Sequence, residues 1–134
     1  MGGMTKASLW GAALLLLPVA AQAQEAAPHF TAAQVEAGKE VFGRTCFICH
    51  KADLSGSEIA PPLVGSSFAS NWGGQKASQL LAFVREEMPQ TTPGSLDQDS
   101  YLRVVAYILS FNGLAAGATE LTVDDPGVIR IATK

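Results

Sequence analysis

Two thiols and an imidazole stand together at Cys46-Phe47-Ile48-Cys49-His50. Four chemistries use parts of such a group. Cysteines three apart can close a disulfide, which would leave His50 without a role. They can form a dithiol redox pair, but that pair normally opens a helix after a strand, and no strand-like segment precedes Cys46. They can help to hold zinc, which takes four ligands; the chain has only two thiols and two imidazoles, His29 and His50, to offer. Finally, the two thiols can add as thioethers to the two vinyl groups of one porphyrin. The next residue, a histidine, then falls under the iron and supplies an imidazole nitrogen. The last reading gives a role to both cysteines and to the histidine, and implies one covalent haem c.

Iron held by His50 needs a sixth ligand or an open position. Met88 is the candidate thioether, since Met1 and Met4 lie in the leader described below. It falls at an expected helix end beside Pro89, where a rigid residue fixes the chain. The competing reading makes Met88 ordinary core filler, a common use of methionine. His29 is the rival ligand; it stands ahead of the first helix cap, in what reads as a loose N-terminal segment. A His/Met pair would raise the potential relative to two histidines.

The chain has 134 residues, which favours one domain, and 12 acidic against 9 basic residues give a net charge of −3. No basic block invites nucleic acid or an anionic membrane. With 48% hydrophobic and 16% charged residues, the composition argues against disorder. Lys6 is the only charge before Glu25, an apolar run from Leu9 to Ala20 contains Pro18, and Ala21-Gln22-Ala23 follows. This is the layout of a secretory leader. A spanning helix wants about 20 apolar residues, more than this interrupted run offers. The expectation is a signal peptide over 1–23, cleaved near Ala23, and a periplasmic protein with no stable membrane insertion afterwards. A functional domain then covers 24–113, and 114–134 is a C-terminal extension lying across it.

The elements around the motif read as helices. Thr31 and Gln34 form a T-x-x-Q capping box, with Phe30 and Val35 at the staple positions. A helix over 32–44 follows, with Val35, Gly38, Val41 and Phe42 near one face. Gly38 costs that helix about 1 kcal/mol against alanine, which asks for close approach of another backbone. Residues 51–76, punctuated by Gly56, Pro61, Pro62, Gly65, Gly73 and Gly74, read mostly as loop. A loop that long in a small domain should wrap something. Residues 77–87 read helical with Leu80, Leu81, Phe83 and Val84 apolar, stopped by Pro89. Ser95 or Asp97 can cap the last helix, the most apolar one, which Asn112-Gly113 ends. In the tail, Asp125-Pro126 could start a helical turn, or residues 128–131 could be extended.

Beyond the pentapeptide, the sequence resembles a class I cytochrome c over about Phe30 to Gly113. Gly38 and Phe42 match the family's glycine–aromatic pair on the first helix, and Val104 and Tyr107 match the pair they cross on the last. Pro61-Pro62-Leu63-Val64-Gly65 matches its P-x-L-x-G stretch, and Met88-Pro89 its ligand methionine in a short bacterial form. Trp72, with Leu80 and Phe83, is similar to the segment below the haem edge, though at looser spacing. The resemblance implies an all-α, cytochrome c-like fold of three to four main helices around one covalently bound haem. It also implies that the Pro61 carbonyl accepts a hydrogen bond from His50, and that Leu63 packs on the porphyrin. A narrower likeness, from Met88 to Leu109, is to cytochromes that serve periplasmic quinoprotein dehydrogenases, including haem domains fused to alcohol dehydrogenases.

The expected function is one-electron transfer with His/Met-ligated haem. The donor would be a periplasmic dehydrogenase or quinol-oxidising complex, and the acceptor an oxidase or other terminal protein. No general base, nucleophile or substrate pocket is evident, so the chain does not read as an enzyme. Two alternatives stand beside this one. The chain is an electron-transfer subunit held in a larger dehydrogenase, which its tail hints at, or its haem is catalytic with a dissociable Met88.

Overall fold

The computed structural model describes residues 1–3 and 26–132; the expected leader lies almost wholly outside them. The described chain is helical. The elements are α1 (Ala32–Thr45), α2 (Phe47–His50), α3 (Gly65–Trp72), α4 (Ala77–Glu87) and α5 (Gln98–Phe111). Isolated β-bridges occur, but no strand is present among the described residues. The architecture is the all-α cytochrome c-like fold, with four main helices and one short turn of helix. No described helix is long and apolar enough to cross a membrane.

Helix α1 starts where the capping box directs. The Gln34 amide donates to the Thr31 hydroxyl at 3.2 Å, and the Thr31 amide to the Gln34 side chain at 3.2 Å. Gly38, Val41 and Phe42 are buried, and α1 crosses α5 in the largest helix contact of the molecule. The reason for Gly38 is steric: a Cβ there would stand 2.5 Å from the Arg103 carbonyl carbon and 3.0 Å from Tyr107 Cβ. Phe42 and Tyr107 close the crossing, ring centroids 5.4 Å apart. Asp97 caps α5, its carboxylate accepting from the Ser100 amide at 2.8 Å. Seven residues of α5 are buried, from Tyr101 to Leu109.

The segment read as loop is partly helix. α3 lies within it, anchored by buried Phe68 and half-buried Trp72, an i, i+4 pair on one face. Its first amide is satisfied from another element, because Gly65 N–H donates to Asn112 Oδ1 at 3.2 Å. The flanking glycines that suggested continuous loop instead bound a two-turn helix. Phe83 differs from expectation too: it is 45% exposed, its ring against Trp72 at 5.2 Å rather than in the core with Leu80 and Leu81.

The tail is extended, and Asp125-Pro126 starts no helix. Leu121, Val128 and Ile129 are buried. Val128 bridges Lys76 in antiparallel sense, the Ala77 amide donates to Gly127 O at 2.9 Å, and the Val128 amide donates to Ala26 O at 2.8 Å. The segment ahead of α1 is therefore not loose. Asp125, only 2% exposed, accepts from the His29 amide at 3.3 Å and lies 3.0 Å from His29 Nδ1. Gly127 lets Pro28 lie directly upon it, where a Cβ would overlap the Pro28 backbone.

Candidate functional site

α1 delivers the pentapeptide. Cys46 is its C-cap, its amide donating to Phe42 O at 2.9 Å, and the chain turns at once into α2, whose last residue is His50. Cys46 and Cys49 are thus held about one helical turn apart, each half-buried and unbonded to the other. His50 is 7% exposed.

The loop after α2 folds back over the histidine. Lys51 and Leu54 take left-handed backbone, at φ 62° and 60°. Gly56 N–H donates to His50 O at 3.0 Å, and Leu63 N–H to Leu54 O at 2.8 Å. Gly56 is required here: at φ +77°, a Cβ would stand 2.6–2.7 Å from the backbone of Ala60, Pro61 and Pro62. The fold-back brings Pro61 O to 3.0 Å from His50 Nδ1. A carbonyl only accepts, so Nδ1 carries the proton and the Nε2 lone pair is left to bind a metal. Asn112 then holds the loop's exit, its Nδ2 donating to Leu63 O at 2.8 Å while its Oδ1 takes the Gly65 amide.

Burial pushes the Cys46 thiol up to about 11, with the neighbouring Cys49 adding to the rise. A dithiol catalyst needs the opposite, an attacking thiol with a lowered pKa. Among the described residues no group of three or more His, Cys, Asp or Glu could hold a metal ion, which leaves the zinc reading without a ligand set. Two reduced thiols a turn apart, followed by a histidine with Nδ1 committed and Nε2 available, fit covalent haem. Within the motif, Ile48 is an apolar side chain left 74% exposed.

Leu63 and Trp72 are half-buried at the edge of the hydrophobic core. Met88 is the C-cap of α4, with its amide on Val84 O at 3.0 Å and its carbonyl accepting from the Tyr101 hydroxyl at 2.7 Å. Sequence reasoning missed Tyr101, Asn112 and Gly56. Only Gly56 left a signal, as a glycine between the motif and the P-x-L-x-G stretch. His29, the rival ligand, is engaged through Nδ1 with Asp125. A groove of about 290 Å³ beside Ala82, Arg85, Leu96 and Tyr101 is lined by none of the seven candidate residues.

Three comparisons bear on this geometry. The family model described as cytochrome c oxidase, cbb3-type, subunit III matches residues 33–108. The thiosulfate dehydrogenase of Stutzerimonas stutzeri is 32% identical in an 80-residue alignment that covers 54% of this chain and 26% of the relative. The chain therefore spans about a quarter of that protein's length. The sulfane dehydrogenase SoxCD from Paracoccus pantotrophus superposes with a TM-score of 0.51 at 22% identity, covering 82% of this chain and 61% of that one. This last likeness is one of fold.

Proposed function

The chain belongs to the c-type cytochrome family described as cytochrome c oxidase, cbb3-type, subunit III, and from that premise we propose that it is a periplasmic carrier of single electrons with one haem c bound through Cys46 and Cys49 and ligated by His50 and Met88. The bound haem supplies a reversible one-electron change between ferric and ferrous iron. The chain's own residues bind, orient and shield it. The observation that carries this reading is the 3.0 Å pairing of His50 Nδ1 with Pro61 O. It sets the tautomer, holds the ring plane, and makes Nε2 a stronger donor.

Met88 completes the ligand set because no other methionine lies between 26 and 132. Held by both His50 and Met88, the haem would be left to electron transfer, with no place at the metal for a small substrate. Leu63, Trp72 and the exposed Ile48 supply its apolar surroundings. On this reading the leader exports the protein to the periplasm, where a covalently held cofactor is not lost. Its donor is a dehydrogenase or quinol-oxidising complex, and its acceptor an oxidase or similar protein, met through a small transient contact.

A second reading is favoured by one observation. A protein named thiosulfate dehydrogenase contains a segment like this chain within about a quarter of its length, so the same domain serves there as part of a larger oxidoreductase. On that reading the chain is an electron-transfer module retained by such an enzyme, with a reduced sulfur compound as the ultimate donor.

The test is the intact mass and absorbance spectrum of exported protein, oxidised and reduced. One haem added to the polypeptide mass, less the leader, is expected. Met88→Ala should lower the midpoint potential and abolish the weak far-red band that iron–thioether bonding gives ferric haem. Colourless protein refutes haem attachment, and persistence of the band in the variant refutes the ligand assignment.

A further inference from the structure

The Tyr101 hydroxyl is a buried polar group that the electron-transfer reading does not use. Tyr101 is 2% exposed, in the first turns of α5. Its hydroxyl donates to Met88 O at 2.7 Å and faces the Leu96 amide at 3.5 Å. A tyrosine at this core position, beside Leu102, Val104 and Val105, needs no hydroxyl for packing; phenylalanine would fill the same volume. The polar atom is kept where the chain leaves α4 for the loop to Asp97.

We propose that Tyr101 is a positioning residue for the sixth ligand, its hydroxyl tethering the Met88 carbonyl to α5 so that the methionine side chain leaves a fixed backbone. The proposal rests on the His/Met reading above. Met88 stands just past the last residue of α4, in extended backbone at φ −123° and ψ 148°. A residue outside a helix is ordinarily free to swing about the helix end. Here the amide is tied back to Val84 O at 3.0 Å and the carbonyl forward to Tyr101. Two bonds to two different helices leave the side-chain torsions as its main freedom. α5 is itself kept in register at this end by the Asp97 cap, whose carboxylate takes both the amide and the hydroxyl of Ser100, at 2.8 and 2.9 Å. The tether therefore runs from a rigid helix. Its expected consequence is kinetic: with the backbone anchored, the Met88 side chain would be displaced from a bound haem more slowly by an outside ligand.

The experiment compares wild type, Tyr101→Phe and Tyr107→Phe as holoproteins. Tyr107 lies on the same helix without a bond to Met88. Stopped-flow mixing of ferric protein with imidazole reads the rate at which the far-red band is lost, and circular dichroism reads global stability. Tyr101→Phe should speed displacement by roughly three- to tenfold, the rate equivalent of one buried hydrogen bond, while Tyr107→Phe leaves it unchanged. Equal rates in wild type and Tyr101→Phe overturn the proposal. So does a fall in global stability without a change in displacement, which makes the hydroxyl a packing group only. A wild-type protein with no far-red band removes instead the ligation on which the proposal stands, and Met88→Ala separates that failure from the others.

Discussion

Helix α1 contains two glycines five residues apart, and replacing each by alanine should move stability in opposite directions. At Gly38 a Cβ would stand 2.5 Å from the Arg103 carbonyl carbon and 3.0 Å from Tyr107 Cβ. Ordinary carbon contacts lie at about 3.5–4.0 Å, so the α1–α5 crossing must open by roughly 1 Å. Overpacking costs about 1–3 kcal/mol, and the upper end applies because the obstacle is backbone and cannot rotate aside. Helix propensity returns about 1 kcal/mol on replacing glycine with alanine. Gly38→Ala should therefore cost about 2 kcal/mol net, a fall in Tm of roughly 10 °C for a domain of this size. At Gly43 a Cβ meets nothing within 4 Å among the described residues. Gly43→Ala keeps only the propensity gain, at most about 1 kcal/mol, and should raise Tm by a few degrees. The assay is thermal unfolding of each holoprotein by circular dichroism. If the two variants shift together, or Gly38→Ala melts within about 2 °C of wild type, the close approach does not explain the glycine.

Asn112→Ala removes two donated bonds and one accepted bond at the end of α5 and should cost about 2 kcal/mol in chemical denaturation, at roughly 0.5–1 kcal/mol per bond; a loss below about 0.5 kcal/mol would show that water replaces them. Asp97 is held below its ordinary 3.8 by the backbone and side-chain hydrogen bonds from Ser100. A carboxylate whose folded pKa is depressed lends stability above its unfolded pKa, and that stability is lost as pH falls through the folded value. The wild type should lose Tm below about pH 4, and Asp97→Ser, which keeps a capping oxygen without the charge, should lose less. Parallel pH profiles would refute it.

How far the sequence could be read depended on how local each cause was. The Thr31–Gln34 box, the run 77–87 before Pro89, and the Asp97 cap are signals carried by residues within four positions of each other. Those elements begin and end within a residue or so of expectation. α3 was hidden because its first amide is capped by Asn112, 47 residues away, so the sequence around Gly65 offers glycines and serines but no cap. The tail has no periodicity for the same reason. Its burial depends on single residues, Leu121 and Ile129, and on an Asp125–His29 contact spanning 96 positions. At the site, C-x-x-C-H and the lone Met88 were legible as chemistry. Tyr101, whose hydroxyl meets the Met88 carbonyl, and Asn112, which holds the loop beyond Pro61, are ordinary core and cap residues when read in sequence.

Its contacts with the site explain why the last helix is the most apolar one. α5 touches each part of the site once. Near its start, Tyr101 holds the Met88 carbonyl; next, the Arg103 backbone receives Gly38 and so fixes α1, which runs directly into Cys46; at its end, Asn112 holds Leu63 and Gly65 beyond the Pro61 carbonyl on His50. The Met88 backbone, the helix that runs into Cys46 and the loop over His50 are thereby referenced to one rod rather than to each other through a long loop. An electron carrier gains from such a frame, because transfer is fast only when the surroundings change little between oxidation states. A rod can serve as a reference only if it does not move. Burying Tyr101, Leu102, Val104, Val105, Ala106, Ile108 and Leu109 keeps it in place. Substitutions on its apolar face should therefore alter the iron's spectrum and potential even where no side chain reaches the haem. Equal losses of stability placed on the exposed face of α4 should not.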